Sequence, residues 1–389
     1  MTPPRLGRLL VALALAACVA VLGSASGASS VPRTGIVCTT SATNTFDLVA
    51  TDGTIQLPDG NAVYMWSYAN GAAPANGAFQ YPGPVLCVDE GATVTVRLRN
   101  GLAQPTSVVF PGQDGQVTAT GGANGLLTRE AAPGQTVTYS FVAGAPGTYL
   151  YESGTDIAKQ IEMGLYGALV VRPSLGGAYA YDDAATKFDP SREYMLLLGE
   201  IDPDLHHAVE TGGTYDFSTL HNHYFTINGR SFPDTLQDNG SSLLPAQPYG
   251  ALIRTQPGAT PALIRMLNAG ADNHPFHPHG NHTLQIAQDG RMLQSPAGAH
   301  AFTEHFGETI AAGQTEDFLL PWVDADQWNP TSNQFPIAAP SYVNVTFKDS
   351  ATWYSGSPYL GYKGTLPTGT TPQNLCGERY FPMHSHALN

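Results

Sequence analysis

The sequence predicts an all-β fold made of two β-sandwich or barrel domains. Three observations carry this prediction: short alternating segments, frequent Pro and Gly breaks, and an internal repeat. The chain has 389 residues with 42 Gly and 30 Pro, and only 12% of its residues are charged. That composition argues against coiled coils, long surface helices and charged disorder.

Seven segments alternate or are rich in β-formers, and turn residues bound them at spacings typical of sandwiches and barrels. We expect strands at 93–98, 136–142, 167–171, 194–198, 224–228, 263–267 and 317–320.

An internal repeat relates the two halves of the chain. Asn100 and Asn268 each close a predicted strand that contains one arginine, Arg97 in the first half and Arg265 in the second. Each of these strands follows a glycine-containing turn. The matching order indicates two copies of one β-domain.

The same register places the turn at 133–136 opposite the turn at 312–315. We therefore expect one domain at 35–173 and a second at 190–389. The stretch 174–192 lacks strand periodicity and is the best linker candidate.

The last part of the second copy departs from the first. In the first copy the segment 149–154 is followed by the closing strand at 167–171, whereas three residues follow 380–386. A barrel without that strand leaves backbone groups unpaired. We expect a truncated product, or another segment that supplies the missing final strand.

The N-terminus has the pattern of an export signal. Arg5 and Arg8 precede the apolar run 9–23 and a small-residue stretch, so we interpret residues 1–28 as a signal peptide. The protein is then secreted or periplasmic. The alternative is a lipid anchor on Cys18. No later segment is long and apolar enough to span a membrane, so we expect no membrane partner after cleavage.

Charge and cysteine content narrow the function further. Asp and Glu number 31 against 17 Lys and Arg, which gives a net charge of −14 and excludes nucleic acid as a partner. The three later cysteines, Cys38, Cys87 and Cys376, predict one disulfide and one leftover thiol in an exported chain. All three pairings stay open at this point.

Histidines are concentrated in two loops of the second copy. His274, His277 and His279 lie within six residues, and His384 and His386 recur near the chain end. In an extended segment, residues two apart point to the same side. Imidazole is the commonest ligand for copper and zinc, so the two pairs are expected to converge on one ion. The alternative is a set of ordinary loop histidines.

Other polar residues favour a simpler explanation. Asp202, Asp204, His206 and His207 form a cluster that we interpret as ion pairing or capping on a surface loop.

Several motifs resemble the multicopper oxidases of laccase type, which are built from cupredoxin domains. The segments that carry the resemblance are 81–84, 164–171, 227–234, 274–280 and 384–386. The resemblance implies two cupredoxin-like Greek-key domains, copper as cofactor, and oxidation of a small-molecule reductant by O2. The two-domain count is similar to small laccases and copper nitrite reductases, which implies a homotrimer with copper at subunit boundaries.

The resemblance also implies roles for individual residues. His274 is expected to ligate the type 1 copper and His277 the type 2 copper. His279, His384 and His386 are expected to serve the type 3 pair.

The sequence departs from the family at decisive positions. Ser385 stands where the type 1 cysteine is expected, and a hydroxyl cannot replace that soft ligand. The first-domain histidine positions hold Val109, Pro111, Glu152 and Gly154. A trinuclear cluster cannot form, so we expect one copper, or in any case fewer than the family's four, with a site for one ion on His279, His384 and His386 with or without His277.

Glu152 would face that ion across the domains of one chain or from a neighbouring subunit. The hypothesis is that its carboxylate is a ligand or a hydrogen-bond partner of metal-bound water; the alternative is a solvated loop acid.

Two functions follow from these residues. The first is an exported copper oxidoreductase that acts on small reductants with O2 through an altered site. The alternative is a non-catalytic cupredoxin that binds or buffers copper, or a purely structural one whose histidines bind nothing.

Overall fold

The computed structural model describes most of the chain after the predicted signal segment. The described residues are 32–71, 78–113, 117–256, 259–322, 347–349, 352–353 and 381–387. The predicted signal segment 1–28, with Cys18, and residue Cys376 lie outside them.

The N-terminal half consists of eleven strands and one short helix. The strands are β1 (Cys38–Thr39), β2 (Thr45–Gln56), β3 (Ala62–Asn70), β4 (Val85–Asp89), β5 (Thr93–Asn100), β6 (Thr118–Gly121), β7 (Ala123–Asn124), β8 (Arg129–Glu130), β9 (Thr136–Val142), β10 (Gly147–Glu152) and β11 (Tyr166–Arg172). Helix α1 spans Ile157–Glu162.

The C-terminal half continues in the same style. Its strands are β12 (Glu193–Ile201), β13 (Tyr224–Ile227), β14 (Ala262–Asn268), β15 (His274–Pro278), β16 (Thr283–Gln288), β17 (Arg291–Met292), β18 (Thr303–His305), β19 (Glu308–Ile310), β20 (Thr315–Leu320), β21 (Phe347–Asp349), β22 (Thr352–Trp353) and β23 (Met383–Ser385). Helix α2 spans Pro203–Thr211, and short 3-10 turns lie at Ala184–Thr186, Pro190–Arg192, Phe217–Thr219 and Asp234–Leu236.

The all-β prediction is confirmed, and every predicted strand coincides with an observed one. The segment predicted at 136–142 has the bounds of β9, and the others differ by up to three residues at an end. Alternation predicts strands such as β5, which bury one face, whereas β12 and β14 are buried on both faces and were predicted from their content of β-forming residues.

Two mixed sheets make up most of the N-terminal half. One has the order β3-β2-β5-β9-β6 and the other β1-β4-β11-β10. Their facing sides enclose an apolar core that includes Leu48, Val96, Tyr139 and Leu169. This is the layered arrangement by which β-sandwiches bury their apolar faces.

The C-terminal half has one large sheet and one small one. The large sheet runs β13-β12-β14-β20-β16-β17, and the small one runs β19-β15-β23. Ile264, Phe276, Ile310 and Phe318 pack between them. The strands of the small sheet are therefore packed against the apolar face of the large sheet.

The halves share a core cluster. Met65 and Leu150 of the N-terminal half pack with Met195 and Leu267 of the C-terminal half. The predicted linker 174–192 has no strand of its own, yet Tyr181 and Phe188 inside it are buried. The domain boundaries themselves stay a prediction.

A buried ionic network lies beside this shared core. Arg265 is fully buried and its guanidinium contacts Glu193 at 2.6 Å and Asp317 at 3.4 Å. Thr148 of the N-terminal half donates to Asp317 at 2.6 Å. Strand β10 is thereby tied to β14 and β20 by bonds that water does not reach.

One disulfide links the start of the described chain to its sheet. Cys38 pairs with Cys87, at a sequence separation of 49 residues. This selects one of the three pairings that the sequence left open.

The cluster around Asp202 is wrongly predicted as a surface loop, because it forms helix α2. The Asp202 carboxylate accepts from the N–H groups of Asp204 and Leu205, and Pro203 occupies the first turn. An N-cap aspartate followed by proline is an ordinary helix start. The predicted capping role of Asp202 is nevertheless confirmed.

No helix among the described residues is long and apolar enough to cross a membrane.

Candidate metal centre

Strands β15 and β23 bring the two histidine loops together. They pair antiparallel, with His277 opposite His384 and Phe276 opposite Ser385. Because successive side chains of a strand point to opposite faces, His277 and His384 share one face of this pair. His274 and Ser385 lie on the other face.

Four imidazole rings cluster on the first face. The ring centroids of His277 and His279 are 4.7 Å apart, and those of His384 and His386 are also 4.7 Å apart. Across the two loops, His277 lies 5.0 Å from His386, and His279 lies 5.3 Å from His384. The rings of two loops more than 100 residues apart therefore form one cluster, which we call the four-histidine cluster.

Backbone carbonyls orient two of these rings. The Nδ1 atom of His277 donates to the carbonyl oxygen of Phe306, and the Nδ1 atom of His384 donates to the carbonyl oxygen of Ser385 at 3.0 Å. In the neutral form of each ring, the proton is then on Nδ1 and the lone pair is on Nε2. This is the way in which neighbouring groups fix the tautomer of metal-binding histidines.

The Nε2 atoms of His279 and His384 approach to 3.2 Å. Burial lowers the pKa of His279, and the neighbouring His277, His384 and His386 lower it further, because each would carry the same charge. A lowered pKa keeps the ring neutral, which is the form that binds metal.

The four-histidine cluster offers a donor type that suits copper or zinc. Imidazole nitrogen suits Cu(II) and Zn²⁺, and the four rings are neighbours. Among the described residues, no three His, Cys, Asp or Glu side chains are already arranged as ligands around one point. The rings would therefore turn to bind an ion.

The opposite face of the strand pair carries a different arrangement. The Nε2 atom of His274 donates to a carboxylate oxygen of Glu200, and its Nδ1 atom lies 3.4 Å from the hydroxyl of Ser385. His274 is thus separated from the four-histidine cluster by the thickness of the strand pair. Its expected role as a type 1 ligand is not tested and stays a prediction.

In the N-terminal half, the two loops that the repeat aligns with the histidine loops pack directly against each other. Val109 and Glu152 form a backbone bridge with N–H to O distances of 2.8 and 3.2 Å. A Cβ atom on Gly154 would lie 2.7 Å from the side chain of Val109. This packing leaves no gap between the two loops.

Glu152 belongs to this closed region. Its backbone also pairs with Tyr166, and burial raises the pKa of its carboxyl. Among the described residues of one chain, it makes no hydrogen bond or ion pair with the four-histidine cluster. Its predicted role as a ligand within the same chain is therefore not supported by a contact with the four-histidine cluster. Its role as a ligand from a neighbouring subunit stays a prediction.

Sequence reasoning missed Glu200. It is 3% exposed inside β12, where it follows the apolar run 194–198. A charged residue in such a strand is costly unless it is paired, and this signal is visible in the sequence. Its partner His274, 74 residues away, cannot be identified from the sequence.

The comparisons with known proteins agree with this fold. Residues 62–175 match a family model described as multicopper oxidase. A laccase-11 sequence of Oryza sativa subsp. japonica is 31% identical over 293 residues, which are 72% of this chain and 48% of that protein. Laccase-4 of the same organism is 30% identical over 273 residues, 67% of this chain and 41% of that protein.

Solved structures are similar as well. A blue copper oxidase from Nitrosomonas europaea superimposes with a TM-score of 0.55 at 24% identity, covering 72% of this chain and 76% of that one. This likeness concerns the fold alone. The chain spans less than half the length of the two laccases.

Proposed function

Since the chain belongs to the laccase-like multicopper oxidase family, we propose that it is an exported copper protein that binds one ion through His277, His279, His384 and His386. The observation that carries the proposal is the four-histidine cluster, in which residues from two distant loops meet with ring centroids 4.7 to 5.8 Å apart.

The chain's own residues would prepare this site in three ways. The carbonyls of Phe306 and Ser385 select the Nδ1–H tautomer of the neutral His277 and His384 rings, which leaves the Nε2 lone pairs for the metal. The exposed His386 leaves the site open to solvent and to a small reductant. When bound, copper supplies one-electron redox chemistry, and oxidation of a small reductant with O2 is the activity we propose.

Export is part of the proposal. Disulfides persist in oxidising compartments outside the cytoplasm, and the Cys38–Cys87 bond supports such a location. The predicted signal at 1–28 supports it as well.

A non-catalytic copper-binding role is the second candidate. It is favoured by Ser385, whose hydroxyl faces His274 where the family resemblance calls for a thiolate. It is also favoured by the closed loops around Val109 and Glu152.

Copper loading of the purified protein tests the proposal. We expect about one Cu(II) per chain by elemental analysis, a non-blue EPR and visible spectrum, and at least tenfold weaker binding in His279→Ala and His384→Ala. His300→Ala is the matched control, because His300 pairs with Asp183 away from the cluster. No copper bound, or equal loss in the control, would contradict the site.

Oxygen uptake then separates the two candidates. If the protein consumes O2 in the presence of a phenol and His384→Ala does not, the result supports the oxidoreductase. Bound copper without O2 uptake supports the binding role. Four coppers with an intense blue band would contradict both.

A further inference from the structure

A second chemical arrangement lies behind the four-histidine cluster, on the opposite face of β15 and β23. Ser385, His274 and Glu200 form a continuous chain of contacts, in which the imidazole lies between the hydroxyl and the carboxylate. The three residues come from β23, β15 and β12, so regular strands hold all of them.

Glu200 determines which ring nitrogen of His274 acts as the hydrogen-bond donor in this series of contacts. The side chains of Glu200 and His274 are 0% and 6% exposed. One carboxylate oxygen accepts from Nε2 of His274, and the other accepts from the N–H of Ala271 at 2.8 Å. In the neutral ring, donation through Nε2 leaves the lone pair on Nδ1, the nitrogen that faces Ser385.

The hydroxyl of Ser385 is set to donate. Its oxygen already accepts from the N–H of Ala387 at 3.1 Å, so its hydrogen is free for His274 Nδ1 at 3.4 Å. Distances of this length are common in ligand-free sites and shorten when substrate binds. Ser385 is half-buried and thus reachable from solvent.

We propose that Ser385 is a nucleophile activated by His274, with Glu200 as the positioning residue, in a Ser-His-Glu site for small carboxylic esters. A nucleophile held by a base that a third group orients is the general pattern of covalent acyl transfer.

The step balances without a metal. The Ser385 oxygen bonds to the ester carbonyl carbon while its proton passes to His274 Nδ1, and the alcohol leaves with that proton. Water then attacks the acyl-serine, releasing the carboxylic acid and restoring the hydroxyl.

The surroundings select the substrate class. Phe225 is 39% exposed and its ring lies 6.2 Å from that of His274, which offers an apolar surface for the acyl or alcohol part. Burial, followed by the charges of Glu200, Asp202 and Asp272, raises the pKa of Glu162 to about 8. The carboxylates around this side of β12 would repel anions. Neutral esters with an aromatic or short apolar group fit best.

A fluorophosphonate probe tests the proposal directly, in EDTA so that bound metal cannot contribute. We expect one covalent adduct on Ser385, identified by peptide mass spectrometry. It should be absent in Ser385→Ala and formed at least tenfold more slowly in His274→Gln and Glu200→Gln. Ser140→Ala is the matched control, because the Ser140 hydroxyl donates to a backbone carbonyl and contacts no histidine.

The kinetics of p-nitrophenyl acetate hydrolysis add a second measurement, the separate effects on kcat and KM, which distinguishes a positioning role of Glu200 from a purely structural one. Glu200→Gln should lower kcat at least tenfold with little change in KM, since it alters the base and leaves the apolar surface intact. No adduct on Ser385, or equal labelling in His274→Gln, would overturn the proposal.

Copper titration of Glu200→Gln separates this inference from the metal site. The Glu200 carboxylate contacts His274 and Ala271 and, in the described part of the chain, none of the four clustered histidines, so this variant should still bind copper, which also shows that it is folded. Slower labelling with retained copper binding supports the nucleophile. Undiminished labelling overturns it, whatever the result for copper.

Discussion

Neighbouring histidines of helix α2 differ sharply in environment. His206 is 1% exposed, and its Nδ1 atom donates to the carbonyl oxygen of Tyr64 at 2.6 Å. His207, the next residue, has a side chain 74% exposed. Burial lowers the pKa of His206 to about 4, because the charged ring would lose its water.

This difference predicts an acid-sensitive stability. The folded protein keeps His206 neutral to a pH of about 4, whereas the unfolded chain protonates near 6.5. The unfolded state therefore binds more protons, and the free energy of unfolding falls as the pH drops below 6.5. Denaturant titrations at pH 7 and 4.5 should show a loss on the order of 2–3 kcal/mol that His206→Gln lacks.

The exposed neighbour provides the control. His207→Gln should keep the acid-dependent loss of the natural protein. An identical pH dependence in the natural protein and His206→Gln would mean that His206 is not the group responsible.

At the level of strands, the two arginines that the repeat aligns have different roles. Arg97 on β5 pairs with Asp47 at 2.6 Å with both side chains substantially exposed. Arg265 on β14 occupies the equivalent place but is fully buried between Glu193 and Asp317. One repeat position is thus a surface ion pair in one half and the centre of a buried network in the other.

Replacing each arginine by methionine tests this contrast. Arg265→Met removes the guanidinium shared by two buried carboxylates, leaving Glu193 with Arg172 and Asp317 with neutral donors, and should cost about 3–5 kcal/mol. Arg97→Met should cost much less, because water solvates Asp47. Urea denaturation measures both, and equal losses would contradict the buried network.

The Cys38–Cys87 bond fixes β1 to β4. In the loop-entropy model a bridge of 49 residues stabilises by about 4 kcal/mol. A Cys38→Ser/Cys87→Ser double variant should lose roughly 2–4 kcal/mol in denaturant titrations. Cys376→Ser is the control and should leave stability unchanged if the pairing is as described.

The strands were predictable from sequence because alternation records which face is buried, as in β5 and β9. The histidine pairs were predictable for the same reason, since residues two apart in a strand share a face. Helix α2 was missed although Asp202-Pro203 is a helix start signal. Glu200 was missed as the partner of His274, because that contact depends on how β12 and β15 pack.

For the whole molecule, the four-histidine cluster has an exposed side that solvent or a neighbouring subunit can contact. His386 is exposed, and Phe306 beside His277 is 68% exposed. Glu152 lies in the other half and does not reach the cluster within the described part of one chain. The predicted homotrimer would bring Glu152 to the cluster from a neighbouring subunit, and this arrangement stays a prediction.

Glu152→Gln combined with sedimentation analysis tests that arrangement. If chains associate so that Glu152 faces a neighbour's histidines, the variant should weaken copper binding severalfold only at concentrations where oligomers form. Glu130→Gln, an acid in the same half that bonds to Thr155, is the control. Equal copper affinity in Glu152→Gln and the natural protein at every concentration would remove Glu152 from the site.

Strand β23 places His384 and Ser385 on consecutive residues, so one peptide unit belongs to both faces of the ribbon. Any displacement of that unit that draws His384 toward His279 also changes the distance from Ser385 to His274. Events on the two faces are then thermodynamically linked, and the linkage is reciprocal: an ion held on one side should alter the equilibrium constant for acylation of Ser385 on the other, and an acyl group on Ser385 should alter the affinity for the ion by the same free energy.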